Sequence, residues 1–297
     1  MPWQLTAALY VFFTSLRSIQ NRIIGKNSID LTLHALAISF VCVLIVGLGV
    51  AVNSWSLVNH QAALDNALRL VGGGTVFALL NYVTIKLFRY VPASVAVFIS
   101  LFNTLSVLLV ASIFTGENLS TRQWLGAAIL FATIILIAMR VRMKNKKKND
   151  KNIALGVGLA LLGAVLFGPA IVNEKILIDS IGLETYVLYG WGLQAIMSFA
   201  LVWVLQRRMK TVSYFTLPRK IKRDLFVYGG LLGLAGLSFV STLNNSGSAS
   251  ISAISGTANV ATTVFLAYFL LKERDHFMLK LCGIILAAAG LLLIFTS

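Results

Sequence analysis

The chain is built from apolar segments about as long as a bilayer-spanning helix, separated by short polar connectors. A helix needs about 20 apolar residues to cross the hydrocarbon core of a membrane. The pattern therefore predicts an all-α polytopic membrane protein with ten transmembrane helices. The ten predicted spans are residues 3–23, 31–52, 66–88, 91–115, 122–140, 153–173, 182–205, 224–244, 249–271 and 277–296.

Two stretches of the chain combine this apolar pattern with regularly placed polar residues. Residues 249–273 carry serine, threonine and asparagine along a segment that would otherwise suit lipid, and residues 93–117 repeat the arrangement. A helix that met only lipid would have little use for such side chains. Each copy has one amide near its middle and one carboxylate at its end. An ungapped alignment pairs Asn103 with Asn259 and Glu117 with Glu273.

This correspondence predicts an internal duplication of the chain. The first repeat is expected at 1–140 with spans 1–5, followed by a basic linker at 141–152 and a second repeat at 153–297 with spans 6–10. The connector between spans 1 and 2 is basic, whereas its counterpart between spans 6 and 7 is not. The opposite charge bias predicts two inverted repeats, an arrangement typical of transporters with a binding site near the bilayer midplane.

The charge distribution favours a membrane over a nucleic-acid partner. The net charge is +15, but 58% of the residues are hydrophobic and the mean hydropathy is +0.86. Of the 25 Lys and Arg residues, 22 lie in alternate connectors or in the ends of the spans that adjoin these connectors. This bias predicts that these connectors are cytoplasmic and that both termini lie outside. The basic runs at 140–151 and 219–223 are then expected to face anionic lipid headgroups.

The polar residues inside the spans are the candidate ligands for a substrate. An amide or hydroxyl in a membrane needs a partner on a neighbouring helix or on a bound molecule. Arg17 and Arg22 are expected to reach the cytoplasmic surface, which would leave no charged residue in the middle of any span and favour a neutral or zwitterionic substrate. Asn103 and Asn259 would bind this substrate or, alternatively, bond each other. The candidate binding residues are Gln20, Asn81, Tyr82, Asn103, Asn173, Ser238, Ser255 and Asn259.

Two titratable residues are candidates for proton coupling. Glu174 is expected near the outer end of span 6, where it could bind a proton or form an ion pair with Lys175. His34 is expected near the outer end of span 2, as a packing residue or a proton relay. Span 6 also contains Gly168-Pro169, where a kink or interruption is expected because proline removes a backbone hydrogen bond.

The sequence offers no pattern typical of an enzyme. The three histidines are far apart, and no acidic pair lies within a span. We therefore expect no catalytic residues, no metal site and no cofactor.

The ends of the two repeats carry a further resemblance. Gly116-Glu117 is followed by Gly126, and Lys272-Glu273 is followed by Gly283. With five spans per repeat, these positions resemble the EamA-type transporters of the drug/metabolite transporter superfamily. The resemblance covers essentially the whole chain. It implies a basket in which spans 1, 3, 4, 6, 8 and 9 surround a central cavity, while spans 5 and 10 are peripheral.

Together these observations predict a secondary transporter of small neutral or zwitterionic metabolites, such as amino acids. Alternating access at a midplane cavity is the expected mechanism, and export follows from the family resemblance. A flippase for lipid-linked sugars or a multidrug efflux carrier is the alternative. The expected partners are a small-molecule substrate and the lipid bilayer of the cell membrane, with no nucleic acid. The multi-pass chain is expected to act as a monomer or homodimer.

Overall fold

A computed structural model describes residues 2–27, 30–114, 116, 120–144, 150–207, 212–250 and 258–295. Within these ranges the chain is helical and contains no β-strand. The helices are α1 (Trp3–Gly25), α2 (Thr32–Asn53), α3 (His60–Asp65), α4 (Ala67–Tyr90), α5 (Ala93–Ile99), α6 (Leu101–Phe114), α7 (Thr121–Lys144), α8 (Asp150–Ile181), α9 (Leu183–Gln206), α10 (Arg219–Ser246), α11 (Asn259–Leu270) and α12 (Phe277–Phe295).

Six helical segments in the described part of the chain are long and apolar enough to cross a bilayer. They are Thr32–Asn53, Ala67–Tyr90, Ala93–Phe114, Ala154–Ile181, Leu183–Gln206 and Arg219–Ser246, while Asn259–Leu270 and Phe277–Gly290 are shorter apolar helices. Helix α1 has sufficient length, but Arg17, Gln20, Asn21 and Arg22 lower its mean hydropathy. The structure therefore supports a polytopic membrane protein.

Two spans differ from their expected form. The fourth consists of helices α5 and α6, which meet at Ser100. The sixth is one helix, Asp150–Ile181, that continues through Pro169, so the helix is not interrupted at Gly168-Pro169, and the kink expected there stays a prediction. Instead, Gly168 lets α8 approach α6. A Cβ atom on Gly168 would lie 2.7 Å from the carbonyl oxygen of Ser106, which is too close for any larger residue.

The packing of the helices is symmetric under exchange of the two halves of the chain. Helix α1 packs on α10 and α11, and helix α8 packs on α4 and α6. Helix α2 packs on α9 and α10, and helix α9 packs on α2 and α4. Helix α7 packs on α12. Exchanging α1 with α8, α2 with α9, α4 with α10, α6 with α11 and α7 with α12 converts this set of contacts into itself.

Contacts along helix α4 show which helix ends lie at the same end of the bundle. Near its end, the carbonyl oxygen of Phe88 accepts a hydrogen bond from Arg22 at 2.9 Å. Near its start, the carbonyl oxygen of Arg69 accepts one from Asn173 at 3.3 Å. The two carbonyls are 19 residues apart, or about 28 Å along a helix. The C-terminal parts of α1 and α8 therefore lie at opposite ends of the bundle.

We call the end that contains Arg22 and Phe88 the basic end. Asp30 forms ion pairs there with Lys86, at 2.9 Å, and with Arg89, at 2.7 Å. Burial by itself raises the pKa of Asp30, but hydrogen bonds from Thr32 and Lys86 outweigh it and hold the pKa well below its usual range. These contacts join the connector after α1 to the end of α4.

The depressed pKa of Asp30 predicts a pH-dependent contribution to stability. A carboxylate whose pKa is lower in the folded state stabilises the protein above its unfolded pKa of about 3.9. We expect Asp30→Asn to lower the melting temperature at pH 7, and the difference from the native protein to shrink as the pH falls below about 4. Melting curves between pH 3 and pH 7 measure this, and a difference that grows on acidification would contradict it.

Candidate functional site

A cavity of about 200 Å³ lies at the centre of the helix bundle. Its lining residues come from helices of both halves of the chain, including α1, α4, α6, α8, α10 and α11, whereas α7 and α12 contribute none among the described residues. One water molecule needs roughly 10–15 Å³ of such space, so the cavity has room for a small metabolite. Large apolar side chains form much of its wall, including Phe77, Phe167, Trp191 and Phe239.

Three of the candidate amides lie together in this cavity. Asn81 on α4, Asn103 on α6 and Asn259 on α11 all line it. Asn81 donates a hydrogen bond to the carbonyl oxygen of Phe77, and the carbonyl oxygen of Asn259 accepts one from Ser15. Among the hydrogen bonds of the described residues, none joins the side chains of Asn103 and Asn259. The amide pair is therefore available to a bound molecule.

Four other candidate residues are absent from the cavity lining, and each has a contact elsewhere. Gln20 donates to the carbonyl oxygen of Asp224 at 3.0 Å, and Asn173 donates to that of Arg69. Ser238 donates to a carbonyl one turn earlier in its own helix, and the ring of Tyr82 packs near the ammonium group of Lys86. The structure thus does not bring these four side chains into the cavity, and their contact with a substrate stays a prediction.

Ser255 lies outside the described residues, so the structure does not bear on it. Glu117, the partner of Glu273 in the sequence repeat, also lies outside the described residues.

Arg17 is a cavity residue that the sequence reasoning placed elsewhere. The expectation was that Arg17 reaches the cytoplasmic surface together with Arg22. Instead its side chain lines the cavity, and its Nε atom is buried without a hydrogen-bond partner among the described residues. Arg17 lies eight residues before the end of α1, about 12 Å along the helix. This distance exceeds the reach of its side chain, so the guanidinium group stays inside the bundle.

Glu174 also lines the cavity, and its side chain is only 4% exposed. It forms a hydrogen bond with Tyr186, which is equally buried on α9. The expected ion pair with Lys175 is wrong, because Lys175 instead binds Asp179 one turn further along α8. Neighbouring residues in a helix point about 100° apart, whereas residues at i and i+4 share a face.

His34 lies away from the cavity. Its Nε2 atom is 2.8 Å from the carbonyl oxygen of Val212, and its ring packs near that of Tyr214. Both partners belong to the basic connector between α9 and α10. The placement of His34 near the outer end of the second span is therefore corrected to the basic end, where the ring holds a connector in place.

Glu273 has a structural role that the sequence reasoning missed. Its carboxylate accepts hydrogen bonds from the backbone N–H groups of Ala93 and Ser94 and from the hydroxyl of Ser94. Its Oε1 atom lies 3.6 Å from Nε of Arg22. A carboxylate at this position satisfies the free N–H groups at the start of helix α5 and complements the helix dipole. The recurrence of a terminal glutamate in both sequence repeats was the signal for this contact.

A helical bundle whose central cavity is lined by both halves of the chain is an architecture found in membrane transporters. A solved structure titled "Crystal structure of protein" has a TM-score of 0.68 and 14% identity, over 98% of this chain and 95% of that chain. At this identity the likeness shows the fold alone. No curated protein matches the chain.

The family model for the EamA-like transporter family matches residues 1–139 and 154–296. The chain belongs to the EamA-like transporter family, which places it in the drug/metabolite transporter superfamily. It is therefore a membrane transporter of this type.

Proposed function

We propose that this protein is a secondary transporter that carries small neutral or zwitterionic metabolites, such as amino acids, through the central cavity. The observation that carries the proposal is the position of the three amides Asn81, Asn103 and Asn259. They project from different helices into one cavity whose walls are mainly apolar. Ligand sites commonly combine such walls with a few convergent polar groups. The amides can donate and accept hydrogen bonds without demanding a net charge from the substrate.

Alternating access between two inverted repeats is the mechanism that best fits the packing. We infer ten spans in two repeats, at 1–140 and 153–297, joined by the linker at 141–152. The exchange symmetry of the helix contacts supports this, because α1 meets α10 as α8 meets α4. The concentration of Lys and Arg in alternate connectors supports a cytoplasmic location for the basic end and an outer location for both termini. Export is favoured by family resemblance alone.

Glu174 is the candidate for proton coupling. Its carboxyl group lines the cavity, is almost fully buried and has Tyr186 as a hydrogen-bond partner. A charged carboxylate in such surroundings is costly unless it is paired. A site that takes up a proton when it faces one side and releases it when it faces the other would couple substrate movement to a proton gradient. The cell membrane is the location consistent with this mechanism.

Ligand-induced thermal stabilisation tests the proposed site. A molecule that binds only the folded protein raises its melting temperature by mass action. We expect L-leucine, a zwitterion, or xylitol, a neutral polyol, to raise the melting temperature of the purified protein. We expect the rise to disappear in Asn103→Ala and in Asn259→Ala, while both variants remain folded.

Ser112→Ala is the matched control, because Ser112 lies on the same helix as Asn103 but bonds its own backbone and is absent from the cavity lining. It should retain the ligand response. If neither compound stabilises the native protein, or if the amide variants respond as strongly as the native protein, the proposed substrate class or site is wrong.

A further inference from the structure

We propose that Arg17 forms a carboxylate-binding subsite in the cavity, so that the transported metabolites carry a carboxylate group. This inference rests on the proposed function and makes its substrate class narrower. The sequence reasoning favoured uncharged substrates because it placed every charge outside the middle of the spans. The position of Arg17 contradicts this expectation, because its side chain lines the cavity.

The guanidinium group of Arg17 has no partner among the described residues. No carboxylate oxygen among them lies within 4.0 Å of it, and its buried Nε atom makes no hydrogen bond. Arg17 is partly buried, and a cation that is shielded from water without an anion or hydrogen-bond acceptors is costly. A substrate group that accepts two parallel N–H hydrogen bonds would satisfy the guanidinium group of Arg17. The two oxygen atoms of a carboxylate have the spacing for such a pair of bonds.

Arg22 shows how the same side chain behaves when the protein supplies its partners. It lies on the same helix, five residues further on. Its guanidinium group bonds the carbonyl oxygens of Phe88 and Arg89 and lies 3.6 Å from Glu273. The buried Nε atom of each arginine lacks a hydrogen-bond partner among the described residues, but only Arg22 has acceptors for its Nη1 atom and a carboxylate within 4.0 Å. Arg22 is held by the protein, and Arg17 faces a cavity.

Asn21 adds a second unpartnered group on the same side of α1. Its side chain is 1% exposed, and neither its amide nitrogen nor its amide oxygen has a hydrogen-bond partner among the described residues. It lies one turn after Arg17, and residues four apart share a helix face. A stripe of unsatisfied polar groups therefore extends from the cavity wall towards the basic end.

The cavity's own carboxyl group, on Glu174, forms no ion pair with Arg17 within 4.0 Å. Gly163 lies against Val83, and Val83 precedes Phe88 by the same five residues that separate Arg17 from Arg22. The backbone of Arg17 is therefore level with Gly163 to within the length of an arginine side chain. Glu174 follows Gly163 by 11 residues, about 16 Å along α8. We therefore expect the carboxylate of a small amino acid to lie at Arg17 and its ammonium group among the amide oxygens.

The first test needs no ligand and compares the two arginines. We expect Arg17→Met to keep or raise the melting temperature of the empty protein, because it removes a partly buried charge that has no ion-pair partner among the described residues. We expect Arg22→Met to lower it, because it leaves Glu273 without its cation. An Arg17→Met protein that melts as early as Arg22→Met would show that Arg17 is held by the protein, and would overturn the subsite.

The second test compares L-leucine with L-leucinamide, in which a neutral amide replaces the carboxylate. We expect the native protein to bind L-leucine at least about tenfold more tightly than L-leucinamide. We expect Arg17→Met to remove this preference. Arg17→Lys should restore only part of it, since an ammonium group cannot offer the two parallel bonds. 4-Methylpentanoate, which keeps the carboxylate but lacks the amine, separates amino acids from simple carboxylic acids.

The outcomes separate the subsite from the proposed function. Equal binding of L-leucine and L-leucinamide to the native protein would overturn the carboxylate subsite and leave the transporter proposal intact. Tight binding of 4-methylpentanoate would support the subsite and overturn the restriction to neutral or zwitterionic metabolites. If no compound binds, the proposed substrate class fails, and the comparison of Arg17→Met with Arg22→Met still decides whether Arg17 is free.

Discussion

Replacing Glu273 with alanine is expected to lower the free energy of unfolding by about 3–5 kcal/mol, the range for breaking a buried ion pair on one side. The carboxylate lies 3.2 Å from N of Ala93 and 3.1 Å from N of Ser94. It also lies 2.7 Å from the Ser94 hydroxyl and 3.6 Å from Nε of Arg22. Without it, the start of α5 loses its acceptor and Arg22 loses its counter-charge.

The loss is measured by denaturant unfolding in detergent, beside two control substitutions. Asp275→Asn removes an exposed carboxylate two residues further along the same connector and is expected to leave stability nearly unchanged. Glu273→Gln keeps the side-chain length but directs N–H groups as well as an oxygen at the helix start, so an intermediate loss is expected. Equal stability of Glu273→Ala and Asp275→Asn would show that the contact does not hold α5 in place.

Gly168→Ala is expected to destabilise the protein by about 1–3 kcal/mol, the usual cost of overpacking. The added Cβ atom would lie 2.3 Å from Oγ of Ser106 and 2.7 Å from its carbonyl oxygen. The hydroxyl can rotate away, but the carbonyl belongs to the backbone of α6. Helices α6 and α8 would have to separate, and both line the cavity. We therefore expect substrate binding to weaken together with stability.

Gly158 supplies the matched control within helix α8. A Cβ atom on Gly158 would meet no atom within 4 Å. Gly158→Ala is therefore expected to keep or slightly raise stability, because alanine favours a helix by about 1 kcal/mol over glycine. If both alanine variants unfold at the same denaturant concentration, the close approach of α6 and α8 does not limit stability.

The class of the protein could be predicted from the sequence because hydropathy is a property of composition and spacing. The amides at 103 and 259 could also be predicted, since a polar group repeated inside apolar segments must find a partner. Gln20 and Asn173 could not be assigned in this way. They lie five and eight residues before the ends of α1 and α8, where one step along the helix decides whether a side chain meets the cavity or a neighbouring backbone.

The misplaced charges have identifiable physical causes. Arg17 was read as a surface residue because it lies near the end of its predicted span, but its side chain is shorter than the remaining distance to the interface. Glu174 and Lys175 were paired because they are adjacent in sequence. Helix geometry favours Lys175 with Asp179, and that spacing was visible in the sequence. The Glu273 contact joins residues about 180 positions apart, so only the repeat could suggest it.

Solute exchange in lipid vesicles tests most directly whether the cavity is a transport route. Vesicles that contain the purified protein and unlabelled L-leucine are diluted into a trace of labelled L-leucine. The account predicts that labelled L-leucine accumulates transiently above its equilibrium level, and that Asn259→Ala and Arg17→Met abolish the accumulation. If L-leucine stabilises the native protein but enters these vesicles no faster than protein-free ones, the cavity binds without transporting, and the central claim is contradicted.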